Sequence, residues 1–150
     1  MIGVKRDATK GGAGADEVVA QSRLREVLPR ADFVALTCPL TPATEGLIDA
    51  KALEAMKPSA YLVNVARGRV VNQAELIDAL QARKIAGAAL DCVEDEPLDS
   101  ASPLWDLDNV LITPHTAGET QRYEDNVLDI LLDNLERMYR GETTLRNQVL

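Results

Sequence analysis

The chain has 150 residues, of which 46% are hydrophobic and 27% are charged, and its net charge is −8 at pH 7. These values are typical of one globular domain with a core of its own, and the negative charge argues against nucleic acid or an anionic membrane surface as partners. No apolar run reaches the roughly 18 residues of a membrane span, and the N-terminus does not resemble a signal peptide. Two cysteines and a single histidine argue against a zinc site. We therefore expect a cytoplasmic protein with reduced thiols and no bound metal.

Short apolar runs alternate with helical patterns along the chain, which predicts an α/β fold with a doubly wound parallel sheet. Residues 61–65 are typical of a buried strand, and Asn72 followed by Glu75 is typical of a helix N-terminus. In the turn at 103–107 we expect one large apolar anchor, Trp105. The predicted strands are residues 2–4, 32–38, 61–65, 85–93 and 110–114, and the predicted helices are 22–28, 49–56, 73–80 and 119–139.

A glycine-rich stretch at residues 11–15 follows the first predicted strand. It contains Gly12 and Gly14, but residue 17 is glutamate, so the G-x-G-x-x-G spacing of a dinucleotide-binding turn is not present. We therefore expect a flexible connection here.

Four polar residues follow the later strands. They are Arg67, Asp91, Glu96 and His115. The carboxyl ends of parallel strands share one edge, which is where open α/β sheets bind ligands. A histidine can exchange a proton near neutral pH, a carboxylate beside it favours its charged form, and an arginine can hold a substrate carboxylate with two hydrogen bonds. This set suits the reduction of a keto acid, although a surface arginine, a surface histidine and a solvated acidic loop fit the same residues.

Four segments resemble the D-isomer-specific 2-hydroxyacid dehydrogenases, in that family's order and spacing. The most compact of them is Leu62-Val-Asn-Val-Ala-Arg-Gly68. The resemblance extends from about residue 16 to the end of the chain, and its segments are residues 31–48, 62–68, 86–97 and 109–118.

The resemblance implies an oxidoreductase that transfers hydride between NAD or NADP and a small 2-keto or 2-hydroxy acid. By this resemblance Arg67 orients the substrate carboxylate, His115 is the acid/base, and Glu96 is the partner of that histidine. Asp91 is similar to the aspartate that binds the nicotinamide carboxamide. The family also implies a homodimer for the full-length protein. The positions whose backbone would line the cofactor are Cys38, Pro39, Val65, Ala66, Thr116, Ala117 and Gly118.

The chain also departs from the family pattern in several places. We expect a partial Rossmann-type sheet that lacks its first strand and its G-x-G-x-x-G turn, with residues 1–125 as a truncated NAD(P)-binding domain. Residues 126–150 would be a helix and tail that return to an absent substrate domain. Lys5 and Arg6 stand where the family has an acidic ribose ligand, with Asp7 just beyond. Two cations suit the 2′-phosphate of NADP, and they equally fit exposed surface charges.

Two alternatives to an active dehydrogenase stay open at the level of sequence. One is a catalytically inactive truncated remnant, which the absent domains favour and the intact Arg67, Glu96 and His115 disfavour. The other is a dinucleotide-binding interaction module similar to the corepressor members of the family.

Overall fold

The computed structural model of the chain describes residues 1–12 and 14–149. They divide into two compact units, Met1–Ala117 and Gly118–Leu150. The expected domain boundary after residue 125 and the role of the tail stay predictions.

The first unit contains parallel strands in two sheets. One sheet pairs β1 with β2, and the other has the order β3-β4-β5-β6. In the larger sheet Ala35, Val63, Ala89 and Leu111 lie in register, so the chain leaves all four strands at one edge. The predicted parallel α/β architecture is therefore confirmed. The strands are β1 Ile2–Lys5, β2 Glu17–Ala20, β3 Phe33–Leu36, β4 Tyr61–Asn64, β5 Gly87–Leu90 and β6 Val110–Ile112.

Four α-helices are present in the described part of the chain. The predicted helix at 22–28 is wrong in extent, because only a single α-helical turn lies between two 3₁₀ turns, and Pro29 in the second of them lacks an N–H for the helical ladder. The last helix begins four residues later than predicted. None of these helices has the length and apolar character needed to cross a membrane. The helices are α1 Leu24–Val27, α2 Ala50–Ala55, α3 Gln73–Gln81 and α4 Tyr123–Tyr139.

The sequence reading missed strand β2, which pairs along its whole length with β1. Its four residues begin with a glutamate and only Val19 is buried, so no apolar run marks it. The glycine-rich connection before it includes Ala13, which lies outside the described residues. Around that position the Gly12 carbonyl accepts from the Ala15 N–H at 3.0 Å, and the Met1 carbonyl accepts from the Asp16 N–H at 2.9 Å.

The expected anchor at Trp105 is wrong. Its side chain is 53% exposed, whereas Leu104 is 1% exposed and belongs to the core. The two residues lie in the 3₁₀ turn Pro103–Asp106, where neighbouring side chains point in different directions, and only Leu104 faces inward. The indole N–H donates to the Asp99 carbonyl at 2.9 Å.

Leucine, isoleucine, valine and alanine build the core, as the low aromatic content requires. Leu53, Leu62 and Leu80 are almost wholly buried where α2, β4 and α3 meet. Alternate strand residues point away from this core, so Phe33 and Tyr61 stack on the exposed face with ring centroids 5.7 Å apart.

Helices α2 and α3 share their N-terminal hydrogen bonds. Asn72 caps α3 as predicted, because its Oδ1 accepts from the Glu75 N–H at 3.2 Å. The Glu75 side chain does not bond back to Asn72. Its Oε2 accepts from the Ala50 N–H of α2 at 2.7 Å, and Asp49 Oδ1 accepts from the Ala52 N–H at 2.8 Å. A residue of α3 therefore completes the cap of α2.

We expect Glu75→Ala to lower the free energy of unfolding by about 1 kcal/mol, because the Ala50 N–H loses a charged acceptor. The measurement is urea unfolding of the 150-residue chain. Asp78→Ala is the control, since it removes an exposed carboxylate from the same helix. Equal effects of the two substitutions would show that the shared cap contributes nothing.

Candidate active site

The turn after β4 carries Arg67 and is held by a buried asparagine. Asn64 is 1% exposed, its Oδ1 accepts from the Ala66 N–H at 3.0 Å, and its Nδ2 donates to the Arg67 carbonyl at 3.1 Å. The Arg67 side chain is exposed, and its Nη1 donates to the Ala66 carbonyl at 2.7 Å. Asn64 was missed as a site residue. Its only signal in the sequence is an amide at the end of an apolar strand.

Gly68 brings this turn against the segment that follows β5. A Cβ on Gly68 would lie 1.8 Å from the Val93 carbonyl oxygen and 2.4 Å from the Glu94 nitrogen. Gln73 of α3 fixes the same segment, because its Oε1 accepts from the Glu94 N–H at 3.0 Å. The Val93 N–H in turn donates to Glu96 Oε1 at 3.1 Å. The turn that carries Arg67 and the loop that carries Glu96 therefore pack directly against each other.

His115 and Glu96 meet at the same edge. His115 Nδ1 lies 2.8 Å from Glu96 Oε2, and both side chains are about two-fifths exposed. The hydrogen bond from His115 is the main reason that the pKa of the Glu96 carboxyl is lowered, and the charge of Arg67 lowers the pKa further. The Glu96 carboxyl is therefore ionised near neutral pH.

The backbone after β6 directs the imidazole. His115 has φ of +58°, in the left-handed region, and its N–H donates to the Thr113 carbonyl at 3.0 Å. Such a conformation is uncommon for a residue other than glycine and must be held by its surroundings. Because Nδ1 is hydrogen-bonded to Glu96, Nε2 is the ring nitrogen that can form a hydrogen bond with a ligand.

Asp91 directly follows β5 and joins the end of that strand to the segment that follows β6. Its Oδ1 accepts from Thr113 Oγ1 at 2.6 Å and from the Thr116 N–H at 2.9 Å, and its Oδ2 accepts from the Ala117 N–H at 2.9 Å. The bond from Thr113 is the main cause of the lowered pKa of Asp91, and the two backbone N–H groups add to it. Asp91 therefore places the backbone on both sides of His115.

A cleft of about 240 Å³ opens beside Asp91. Its lining is mostly apolar and includes Val63, Ala89 and Leu111, while the polar residues are Asp91, Thr113 and Thr116. A flat aromatic ring with an amide suits such a cleft, since the apolar walls take the ring and a carboxylate oxygen can accept from the amide. The residues present therefore fit a nicotinamide.

The other expected cofactor residues lie at several places. Cys38 and Pro39 follow β3 at the same edge, and Val65 and Ala66 follow β4. Thr116 and Ala117 are held by Asp91, whereas Gly118 belongs to the second compact unit. Lys5 is the last residue of β1 in the smaller sheet, and Arg6 follows it.

The two cysteines, Cys38 and Cys92, are free thiols. Burial raises the pKa of Cys38, and burial together with the charges of Glu96 and Asp91 raises the pKa of Cys92 to about 11. Both cysteines are therefore thiols rather than thiolates near neutral pH. Among residues 1–12 and 14–149, no group of three or more His, Cys, Asp or Glu side chains could hold a metal ion.

We expect Gly68→Ala to lower the free energy of unfolding by about 3 kcal/mol, because the new methyl group meets backbone that cannot yield without moving the Glu96 loop. Urea unfolding of the 150-residue chain measures this loss. Gly118→Ala is the matched control, since a Cβ there meets nothing within 4 Å. A loss no larger than that of the control would contradict the close packing of the two turns.

His115→Ala is expected to raise the pKa of Glu96, since the hydrogen bond from His115 is the main cause of its lowering. Carboxyl ¹³C NMR titration of the chain measures it. A carboxyl whose folded pKa is lowered stabilises the fold above its unfolded pKa, about 4.3, and loses that contribution as the pH falls. The variant should therefore lose less stability on acidification. Arg83→Ala is the control, because Arg83 also has a positive φ, and it should leave the Glu96 pKa unchanged. An unchanged Glu96 pKa in His115→Ala would contradict the hydrogen bond between His115 and Glu96.

Comparison with known proteins gives a consistent result. Residues 1–117 match the family "D-isomer specific 2-hydroxyacid dehydrogenase, NAD binding domain". A glyoxylate reductase of Pyrococcus furiosus is 42% identical over 135 residues, covering 89% of this chain and 40% of that protein. A hydroxypyruvate reductase of Blautia hydrogenotrophica is 36% identical over 135 residues, covering 90% of this chain and 42% of that protein.

A solved structure shows the same fold. It is a D-isomer-specific 2-hydroxyacid dehydrogenase of Xanthobacter autotrophicus in complex with NADPH and MES, at a TM-score of 0.84 and 36% identity, covering 99% of this chain and 60% of that one. The chain spans about two-fifths of the length of the curated relatives named above. With residues 1–117 corresponding to the NAD-binding domain, the chain belongs to the D-isomer-specific 2-hydroxyacid dehydrogenases.

Proposed function

We propose that this chain carries the catalytic edge of an NAD(P)-dependent oxidoreductase that interconverts a small 2-keto acid and its 2-hydroxy acid. The observation that carries the proposal is the 2.8 Å contact between His115 and Glu96. It lies at the strand edge that also presents Arg67 and borders the apolar cleft. The names of the relatives, glyoxylate reductase and hydroxypyruvate reductase, support this class of substrate.

Arg67 binds and orients the substrate in this proposal. Its side chain is exposed, and its charge is one of the causes that lower the pKa of Glu96 after the hydrogen bond from His115, which supports a role beside these two residues. An arginine can hold a carboxylate through two parallel hydrogen bonds, which fixes the position of the neighbouring carbonyl. Asn64 and Gly68 support this role, because they set the turn from which Arg67 projects.

His115 moves the proton. A nicotinamide cofactor supplies the hydride when it is bound. Nε2 of the protonated imidazole donates to the keto oxygen as the alcohol forms, and the neutral ring accepts the hydroxyl proton in the reverse direction. Glu96 holds Nδ1, so it fixes the tautomer of the neutral ring and stabilises the charged one.

Asp91 and the cleft hold the cofactor in this proposal. Val63, Ala89 and Leu111 would pack against the nicotinamide ring, and Asp91 would accept from its carboxamide. The Thr113 hydroxyl lowers the pKa of Asp91 most, the backbone N–H groups of Ala117 and Thr116 lower it further, and together they hold the carboxylate in place. Substrate and ring would then meet between the cleft and His115.

The test is reduction of glyoxylate by the protein, followed as loss of the reduced nicotinamide absorbance. Arg67→Gln should raise the KM for glyoxylate and lower kcat, together a loss of about 100-fold in kcat/KM. His115→Ala should lower kcat by about 10²- to 10⁴-fold and leave the cofactor Kd nearly unchanged. Arg69→Gln is the control, because Arg69 lies two residues away and pairs with Glu45.

Each outcome of that test has a clear meaning. Equal kinetics for Arg67→Gln and Arg69→Gln would remove Arg67 from substrate binding. Loss of cofactor binding in His115→Ala with chemistry intact would reject the acid/base role. Saturable cofactor binding without any turnover would favour a dinucleotide-binding interaction module.

A further inference from the structure

The loop at residues 92–98, which carries Glu96, has few hydrogen bonds to the rest of the first unit. Among the described residues, one hydrogen bond links the backbone of this loop to a group outside it, and it runs from the Glu94 N–H to Gln73 Oε1 at 3.0 Å. A second bond at the loop backbone is internal, because the Val93 N–H donates to Glu96 Oε1 at 3.1 Å. Gln73 is therefore the polar attachment of the loop.

Gln73 belongs to a well-defined element. It is the first residue of α3, and its side chain is part-buried. The turn in which it lies is capped, since Asn72 Oδ1 accepts from the Glu75 N–H. Segments with few backbone hydrogen bonds open more readily than helices and strands. An anchor in a capped helix therefore defines where the loop lies.

The attachment leads directly to the imidazole. Glu94 lies two residues before Glu96, whose Oε1 accepts from the loop backbone and whose Oε2 lies 2.8 Å from His115 Nδ1. The Glu96 carboxylate is thus fixed to its own loop, so a displacement of the loop also displaces the carboxylate from His115. Gly68 allows the loop to come close to the turn after β4, and Gln73 holds it there.

The chemistry of the side chain also suits this role. The loop already carries three consecutive exposed carboxylates, Glu94, Asp95 and Glu96. An amide oxygen accepts a backbone N–H without adding a further negative charge beside them. Gln73 therefore holds the loop through a neutral acceptor.

We propose that Gln73 is a positioning residue of the candidate active site, whose amide oxygen holds the loop where Glu96 bonds to Nδ1 of His115. Through this bond Gln73 fixes the ring tautomer that leaves Nε2 free for the substrate. The inference rests on the proposed function, in which Nε2 of His115 moves the proton. Gln73 acts through the backbone of Glu94.

The experiment uses Gln73→Met, which keeps the length of the side chain and removes the acceptor. ¹⁵N NMR of the 150-residue chain, at a pH where the ring is neutral, reports the tautomer of His115. The unsubstituted chain should show mainly the Nδ1–H form, and Gln73→Met should show a mixture of both forms. The pKa of Glu96 should rise in the variant, because the hydrogen bond from His115 is the main cause of its lowering.

Two further variants complete the comparison. Gln81→Met is the matched control, because Gln81 is the last residue of the same helix and is exposed. It should leave the tautomer and the Glu96 pKa unchanged. Gln73→Glu restores an acceptor and should retain the Nδ1–H form. In glyoxylate reduction, Gln73→Met should lower kcat about tenfold with KM changed by less than about twofold.

The outcomes separate this inference from the proposed function. A Gln73→Met chain with the tautomer and the Glu96 pKa of Gln81→Met would overturn the inference. A Gln73→Glu chain with the same tautomer mixture as Gln73→Met would also overturn it. The NMR measurements need neither cofactor nor substrate, so an altered tautomer in a chain without turnover would support the role of Gln73 and reject the proposed function. Normal turnover with an unaltered tautomer in Gln73→Met would do the reverse.

Discussion

The contact on which the candidate site depends is the approach of Gly68 to the backbone of Val93 and Glu94, where no side chain fits. It joins two turns that follow adjacent strands, one carrying Arg67 and the other carrying Glu96. Glu96 then reaches the histidine that follows the next strand. The backbone contact therefore joins the segments of the guanidinium and the carboxylate. The hydrogen bond between Glu96 and His115 adds the segment of the imidazole.

Two buried polar side chains complete this arrangement. Asn64 satisfies the backbone of the Arg67 turn, and Asp91 satisfies the backbone around His115. Burial of a polar group lowers the stability of the fold unless the group is hydrogen-bonded. Asn64 and Asp91 both form their hydrogen bonds with loop segments. These hydrogen bonds fix the backbone of two loops at the sheet edge. Loops that are held in this way suit a site whose chemistry depends on the relative positions of its groups.

The sequence predicted the features that are local, and missed those that depend on distant contacts. Apolar runs identified the four strands of the larger sheet, and the residues after them identified the edge. The pairing of Glu96 with His115 was implied by the family resemblance. Strand β2 was missed because two valines carry no clear pattern, and Trp105 was misplaced because a 3₁₀ turn directs only Leu104 inward. Nothing near Gly68 in the sequence reveals that Val93 lies against it.

The pairing of arginines with carboxylates in the first unit affects where its surface attracts anions. The chain is acidic overall, so an anion approaching most of its surface is repelled. Among the described residues of this unit, five arginines pair with carboxylates, whereas Arg6 and Arg67 do not. The electrostatic field of an unpaired charge steers diffusing ions and raises association rates at low ionic strength. In kinetic terms, an arginine without a carboxylate partner is a position at which this acidic chain attracts an approaching anion.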